Sequence, residues 1–227
     1  RYAAKVDALR PIASEFGLMR ARIEVELAWI KSLAINPQIN EVPPLSEQAI
    51  AHIDAIVDDF SETDGKSIKA IEGTTNHDVK AIEYFIKEKF AVNPELNAIS
   101  EFVHFACTSE DINNLSYSLM LTRMRDDVLV PKMQEIIDFL REKANDWAAH
   151  AMLSRTHGQS ASPTTVGKEF ANAVARLERQ LMQFRAVQLL GKLNGAVGPP
   201  SAEVGVGGHL LEGDAVRERV AQHAHVQ

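Results

Sequence analysis

Apolar residues recur every three or four positions along most of the chain, the spacing that places them on one face of an α-helix. Six stretches have this spacing, and no pair of stretches carries the signals of a β-hairpin. These stretches cover residues 19–34, 50–60, 79–90, 112–119, 133–147 and 166–184. The pattern therefore predicts an all-α fold.

Capping residues and prolines indicate where several of these helices begin. Ser46, Asn76 and Ser109 each precede an apolar stripe and suit the N-cap, where a side-chain oxygen accepts a backbone N–H. Pro131 and Pro163 suit the first turn of the last two helices, where the missing N–H costs nothing.

The last two predicted helices are long, and their apolar stripes need partner helices at a shallow crossing angle. Too few helices are present to cover both flanks, so we expect the partners in other subunits or in sequence outside this chain. We expect residues 1–106 to form a small helical N-terminal domain and residues 107–198 the first part of a long, truncated central bundle. Residues 199–227 are rich in glycine and predict a loop or disordered tail.

Composition narrows the possible functions. The chain is 45% apolar and 24% charged, as soluble globular proteins are, and its net charge of −7 argues against a general nucleic-acid binder. Its single cysteine, Cys107, excludes an internal disulfide, and no apolar run approaches the 18 residues of a membrane span. We therefore expect a cytoplasmic protein with neither a nucleic-acid nor a membrane partner. The chain begins with Arg1, so we expect its start to be cut or processed.

Two polar clusters fall where predicted helices begin. In residues 74–78, Thr-Thr-Asn-His-Asp, free backbone N–H groups and polar side chains could hold a phosphate or carboxylate. Simple helix capping, with His77 on the surface, is the alternative for this cluster. In residues 107–114, capping accounts for Ser109 and one acid but leaves the adjacent Asn113 and Asn114 unexplained.

A third polar cluster, residues 153–163, is predicted to be a loop between the two long helices. Its His157 lies among Thr, Gln and Ser, and histidine is the usual general acid or base near neutral pH. A solvated loop histidine is the alternative. Glu101 and His104 form one Glu-x-x-His pair, but a di-iron bundle needs two, so we predict a structural role for His104 and no metal site.

Together these clusters resemble the fumarase/aspartase superfamily of lyases, most closely its bacterial adenylosuccinate lyase branch. The resemblance is nearly continuous from residue 1 to residue 198, and five sequence blocks occur in the same order. The blocks are Arg-Tyr at 1–2, TTNHDVK at 74–80, HFACTSEDINN at 104–114, SRTHGQ at 154–159 and GKLNGAVG at 191–198.

The resemblance implies an all-α homotetramer in which several subunits assemble each active site. It also implies the cleavage of adenylosuccinate to AMP and fumarate, and of the succinyl-carboxamide ribotide of the purine pathway to AICAR and fumarate. No metal or organic cofactor is implied. The purine nucleotide carries a phosphate and two carboxylates, so its site needs many hydrogen-bond donors.

Residue roles follow from the same resemblance. His157 matches the acid that protonates the leaving nitrogen, and His77 matches a residue that orients the substrate and supports this acid. The matching substrate-binding residues are Arg1 and Tyr2 on the phosphate side, Asn76 and Asp78 in a second segment, Thr108 and Ser109 at the succinyl carboxylates, and Gln159 beside the acid.

The catalytic base is missing from this sequence. In the superfamily it is a serine within Ser-Ser-x-Met-Pro-x-Lys-x-Asn, and this chain has no such motif. Ser160 also replaces the proline usual after Gln159, and residues 199–202 depart from the superfamily's pattern. We therefore expect the chain to be inactive alone. The alternatives are a sister lyase acting on argininosuccinate, fumarate or aspartate, and a non-catalytic helical assembly module.

Overall fold

Helices dominate the computed structural model, which describes residues 2–196 and the backbone of residues 203–205. The all-α class predicted from the stripes is confirmed. Arg1 and, apart from residues 203–205, the tail predicted for 199–227 lie outside the described residues. The helices are α1 (Arg10–Ala13), α2 (Glu15–Ala34), α3 (Glu47–Asp58), α4 (Glu62–Thr75), α5 (Asp78–Phe90), α6 (Pro94–Ala98), α7 (Ser109–Arg123), α8 (Val130–Asp146) and α9 (Val166–Ala186). Short 3₁₀ segments occupy Ala3–Lys5, Asp7–Leu9 and Ser100–Phe102, and a π-helical segment occupies Met124–Leu129.

The described residues form two compact units. The first contains residues up to Thr122 and from Gln188 onward, and the second contains residues 123–187. The division into domains at residues 106 and 198 stays a prediction.

Helix α2 supplies the largest share of the core of the first unit. Every predicted stripe position on α2 is buried, and Trp29 is fully enclosed. The predicted stripes of α5 and α7 are buried as well. Around α2 pack α3, α4 and α5, and one continuous apolar cluster joins them. Three of the sequence stripes therefore meet in a single core.

Helix α4 was not predicted. Only Gly65 and Ile68 are buried along it, so its apolar stripe is too weak to recognise in the sequence. Its start is nevertheless well formed, because Ser61 and Asp64 make a reciprocal capping box. The predicted cap of α3 is confirmed, since the Ser46 hydroxyl accepts the Ala49 N–H at 3.2 Å.

The second unit contains the helix pair α8 and α9. Arg141 contacts Glu178 and Gln134 contacts Arg185, a pairing that requires antiparallel helices. Their small apolar cluster contains Ile137, Val174 and Leu181 at its centre. Some predicted stripe positions are wrong. Ile136 is 56% exposed and its neighbour Ile137 is buried instead, and Trp147 and, in the first unit, Ile50 are exposed as well.

Pro131 lies in the first turn of α8, as predicted. The π-helical segment precedes it directly. Because proline lacks an N–H and crowds the carbonyl four residues earlier, a wider turn before it relieves the clash.

A β-hairpin precedes α9 where the sequence predicted a loop and no hairpin. Strands β1 (Ala151–Thr156) and β2 (Gln159–Thr165) pair antiparallel. Most of their side chains are exposed, so no alternation of apolar and polar residues signalled them. Pro163 therefore lies in β2 rather than in a helix, and Thr165 caps α9 by accepting the Lys168 N–H at 3.1 Å. A second antiparallel pair joins β3 (Leu190–Lys192) to β4 (Glu203–Gly205).

Close packing at Gly17 gives a test of this fold. A β-carbon there would lie 2.1 Å from the Ile12 carbonyl oxygen, so we expect Gly17→Ala to destabilise the chain by about 1–3 kcal/mol. Gly73, in α4, has open space around the corresponding position, and Gly73→Ala should be neutral or stabilising by up to about 1 kcal/mol. Urea denaturation measures both; equal effects of the two substitutions would contradict this packing.

Candidate active site

The first polar cluster forms the junction between α4 and α5. The sequence predicts that Asn76 caps α5, and this prediction is wrong. Asn76 ends α4 in the left-handed conformation, with φ 51° and ψ 30°, which asparagine tolerates better than most residues. His77 caps α5 instead, because its Nδ1 accepts the Lys80 N–H at 3.1 Å. A ring nitrogen that accepts a hydrogen bond carries no proton, so the neutral ring carries its proton on Nε2.

Asp78 is bound to a buried arginine of α2. The Arg22 guanidinium donates through Nη2 to Asp78 Oδ2 at 2.6 Å, and the Arg22 side chain is only 7% exposed. Partial burial by itself would raise the pKa of Asp78. The positive charge and hydrogen bond of Arg22, with the N–H of Val79, outweigh it and hold this pKa below its usual value of 3.8. Asp78 is therefore a carboxylate at neutral pH.

Arg22 also reaches the second polar cluster. Its Nε donates to Asn113 Oδ1 at 2.9 Å, on α7. This bond gives Asn113 the role that capping did not explain, and it connects the start of α5 to the start of α7 within the first unit.

Thr108, rather than the predicted Ser109, caps α7. The Thr108 N–H and hydroxyl donate to Asp111 Oδ2 at 2.8 and 3.0 Å, and the Thr108 hydroxyl oxygen accepts the Asp111 N–H at 3.4 Å. Ser109 is the first helical residue. Thr108 and Asp111, three residues later, therefore make the reciprocal hydrogen bonds of a capping box.

Residues 192–195 are attached to the same end of α7. Asp111 Oδ1 accepts the Gly195 N–H at 2.8 Å, and Asn114 Oδ1 accepts the Lys192 N–H at 2.9 Å. Asn114, like its neighbour in the sequence, therefore satisfies a backbone or side-chain donor from a distant segment. These two α7 side chains therefore hold the backbone at Lys192 and Gly195.

His104 was predicted to have a structural role, and it pairs with Glu26 of α2. Its Nδ1 lies 2.5 Å from Oε1 of Glu26, a fully buried α2 residue. Burial by itself would lower the pKa of His104, but the Glu26 carboxylate raises it above 6.5. Burial raises the pKa of Glu26 above 4.5, although its contacts with His104 act in the opposite direction.

The segment that leads into Thr108 has an unusual backbone. His104 and Ala106 both have positive φ, of 65° and 60°, a conformation that costs energy outside glycine. Trp29 Nε1 donates to the Phe105 carbonyl oxygen at 2.7 Å between them. Contacts from α2 thus hold this strained segment in place.

His157 lies at the tip of the β1–β2 hairpin, in the second unit. His157 and Gly158 form a two-residue turn with φ of 50° and 75°, as a type I′ turn requires at both positions. Thr156 and Gln159 pair across its base. The His157 side chain is exposed, and so is that of Gln159. The hairpin therefore presents the predicted acid at its outermost point.

The structure brings together only part of the predicted site. Asp78 and the α7 start are joined through Arg22 and Asn113, with His77 beside Asp78. Tyr2 is 61% exposed in the first unit, and Arg1 lies outside the described residues. The roles assigned to these residues by resemblance stay predictions.

Arg22 and Glu26 were missed by the sequence analysis. A signal was present, since both are charged residues one helical turn apart within the apolar stripe of α2. Buried charges in such a stripe need partners, which makes them markers of a polar network.

In residues 2–196, no group of three His, Cys, Asp or Glu side chains is arranged to hold a metal ion. None of the helices in these described residues has both the length and the apolar content of a membrane crossing.

Comparison with solved structures defines the class of fold. The chain superposes on a β-carboxy-cis,cis-muconate cycloisomerase from Acinetobacter calcoaceticus sp. ADP1 with a TM-score of 0.63 and 20% identity, covering 87% of this chain and 46% of that one. A fumarate lyase from Mesorhizobium sp. BNC1 gives a TM-score of 0.64 at 18% identity, covering 84% and 42%. The described helices therefore have the fold of these enzymes.

Residues 1–202 match the profile of the family described as "Lyase", and the chain belongs to that family. It is 54% identical over 204 residues to adenylosuccinate lyase from Escherichia coli strain K12, covering 90% of this chain and 45% of that protein. It is 55% identical, with the same coverage, to adenylosuccinate lyase from Haemophilus influenzae. The chain thus spans about 45% of the length of these curated relatives.

The His104–Glu26 pair predicts a dependence of stability on pH. Because the folded pKa of His104 is raised, its contribution is complete below the unfolded value of about 6.5 and is lost as pH rises through the folded pKa. We expect the free energy of unfolding to fall above pH 6.5, by at most about 1.4 kcal/mol per pH unit for one proton. Urea denaturation between pH 6 and 9 measures this slope.

His104→Gln should make the free energy of unfolding less dependent on pH. The matched change His150→Gln, at an exposed histidine, should leave this dependence unchanged. A slope unchanged by His104→Gln would contradict the assignment to this pair.

Asp111 provides a test of the α7 start. Asp111→Asn replaces one acceptor oxygen with an NH₂ that faces backbone N–H donors, so we expect a loss of about 1–3 kcal/mol in unfolding free energy. Ser109→Ala is the matched control, with an expected change below about 0.5 kcal/mol. Thermal or urea unfolding monitored by circular dichroism distinguishes them, and equal losses would mean that Asp111 does not hold this helix end.

Proposed function

We propose that this chain is part of an adenylosuccinate lyase, which cleaves adenylosuccinate to AMP and fumarate and releases fumarate from the related succinyl-carboxamide ribotide. The observation that carries the proposal is the 54% identity over 204 residues with the Escherichia coli adenylosuccinate lyase. All five sequence blocks of the resemblance lie within residues 1–202, the region of the family match.

The proposed reaction is an elimination that breaks a C–N bond. A base removes a proton from the carbon next to a carboxylate, the electron pair forms the double bond of fumarate, and the departing nitrogen takes a proton from an acid. We assign the acid to His157. Its support is its position at a hairpin tip, where two paired strands hold the backbone and the exposed ring can approach a substrate.

The other residues bind and orient the substrate in this proposal. His77 orients it and supports the acid, and its Nε2–H faces away from the Nδ1 that caps α5. Arg1 and Tyr2 hold the phosphate. The binding residues contributed by the remaining segments are Asn76 and Asp78 at the α4–α5 junction, Thr108 and Ser109 for the succinyl carboxylates, and Gln159 beside the acid.

The site needs a base from outside this sequence. We propose that it is the serine of the Ser-Ser-x-Met-Pro-x-Lys-x-Asn motif in the full-length enzyme, and that the chain alone is inactive. We further propose a cytoplasmic homotetramer whose subunits complete one another's sites without a metal or organic cofactor. The exposed apolar side chains of Ile136, Phe139 and Met182 support a helical partner for the second unit.

Complementation with a full-length relative tests this function. The chain is coexpressed with Escherichia coli adenylosuccinate lyase that carries Gln at the position aligned with His157, and mixed oligomers are purified through a tag on the chain. We expect adenylosuccinate cleavage, followed by absorbance, to rise at least about 100-fold above the relative alone, the usual contribution of a positioned acid.

Two controls identify the source of the activity. The same chain with His157→Gln should form the mixed oligomer without restoring cleavage. A relative that lacks its serine base should not be restored by any form of the chain, since this sequence has no base motif.

A non-catalytic assembly module is the second candidate, and the absent base motif is the observation that favours it. It predicts that the chain copurifies with the acid-deficient relative but restores no cleavage. That result would contradict the lyase role of His157, whereas failure to copurify would contradict the shared assembly.

A further inference from the structure

Residues 104–107 form a tight turn directly before the cap of α7. The Cys107 N–H closes the turn by donating to the His104 carbonyl oxygen at 3.2 Å. Of the two central residues, Ala106 has a positive φ of 60° and Phe105 does not. A positive φ at the second central residue alone is characteristic of a type II turn.

Alanine is a poor residue for this position. Type II turns take glycine or asparagine there, because a β-carbon crowds the backbone when φ is positive. A type I turn is closed by the same backbone hydrogen bond, but its second central residue has the negative φ that alanine prefers. The two forms differ in the peptide between Phe105 and Ala106, which is turned over from one form to the other. A contact outside the turn must therefore favour the type II form.

The indole of Trp29 makes such a contact. Its Nε1 donates at 2.7 Å to the Phe105 carbonyl oxygen, which belongs to the central peptide of the turn. Trp29 is fully enclosed in the core of the first unit, so packing fixes the direction of its N–H. In the type I form this carbonyl would face away from the indole, and a buried N–H would lose its acceptor. One hydrogen bond from α2 thus favours the less common backbone form.

The turn leads directly into the start of α7. Thr108 follows Cys107, and the Thr108 N–H and hydroxyl both donate to Asp111 in the capping box. The N–H groups of the first helical residues, from Ser109 onward, point out of the same helix end. Turning over the central peptide redirects the backbone that enters Thr108, and with it the polar groups of this helix start.

We propose that Trp29 is a positioning residue whose indole N–H keeps residues 104–107 in the type II form and thereby holds Thr108 and Ser109 in place for the succinyl carboxylates. The inference rests on the proposed function for the role of Thr108 and Ser109. Trp29 itself is enclosed, so it acts on the substrate only through the Phe105 carbonyl and the turn.

NMR on the ¹³C,¹⁵N-labelled 227-residue chain reports the form of the turn. A residue with positive φ gives a strong nuclear Overhauser effect between its own N–H and Hα, because these protons lie closer together than at negative φ. We expect this strong signal at Ala106 in the native chain, and a weak signal there would overturn the proposal. Trp29→Phe keeps an aromatic ring without a donor, so we expect it to weaken the Ala106 signal and shift the Thr108 and Ser109 amide signals.

Ala106→Gly provides the rescue. Glycine adopts positive φ without crowding, so the double variant Trp29→Phe with Ala106→Gly should show the native Thr108 and Ser109 amide signals again. If Trp29→Phe does not fold, benzothienylalanine in place of Trp29 repeats the test, since it keeps the two-ring shape and replaces only the N–H with sulfur. Trp147→Phe, in the second unit, is the matched control and should leave these signals unchanged.

Mixed oligomers measure the effect on the substrate. The chain is coexpressed with Escherichia coli adenylosuccinate lyase that carries Ala at the positions aligned with Thr108 and Ser109, so that cleavage needs these two residues of the chain. We expect Trp29→Phe to raise the KM for adenylosuccinate at least about five-fold while kcat stays within about two-fold, because binding rather than chemistry is lost. Adding Ala106→Gly should reverse the rise in KM.

Three outcomes would overturn the proposal. They are an Ala106 signal or a KM that is unchanged when Trp29 loses its donor, a double variant that restores neither the amide signals nor the KM, and a control Trp147→Phe that changes them equally. Failure of the unaltered chain to restore cleavage would contradict the proposed function instead. The NMR spectra need no substrate, so they still decide whether Trp29 sets the turn.

Discussion

The ion pair between the buried Arg22 guanidinium and the half-exposed Asp78 carboxylate connects the parts of the candidate site that lie in the first unit. A guanidinium that is 93% enclosed has lost most of its water, and only strong partners offset that loss. Its two partners lie 56 and 91 residues further along the chain. One side chain of α2 therefore sets the position of two helix starts that no local interaction connects.

Helix α2 has two functions in the first unit, since it fills the core and also carries the charges that organise it. Glu26 lies one turn after Arg22 and pairs with His104, just before the α7 start. Removing one member of a buried pair commonly costs about 3–5 kcal/mol, because the other is left without a partner. Breaking the polar network should therefore destabilise the first unit, in addition to what the surrounding apolar cluster contributes.

The polar clusters also have structural roles that are separate from any chemistry. His77 and Thr108 cap helices, and Asn76 ends one in a left-handed conformation. These contacts account for the residue types at each boundary while leaving the His77 Nε2 outside the cap. Capping and substrate binding therefore do not compete as explanations, since a capped side chain is also an oriented one. The backbone of His157 is fixed in a different way, by a tight turn between two strands.

The sequence by itself determined the helical class, the buried stripes of α2, α5 and α7, and the cap of α3, because each depends on residues within a few turns of one another. Family motifs also predict catalytic roles for His77 and His157. The sequence could not determine the β1–β2 hairpin, whose strands are polar and exposed, nor the weakly apolar α4. Only the tertiary structure decided that Arg22 holds Asp78 and that Glu26 holds His104. A charged residue within an apolar stripe indicates that a partner is needed. Which distant residue provides it depends on how the helices pack, and local sequence does not contain that information.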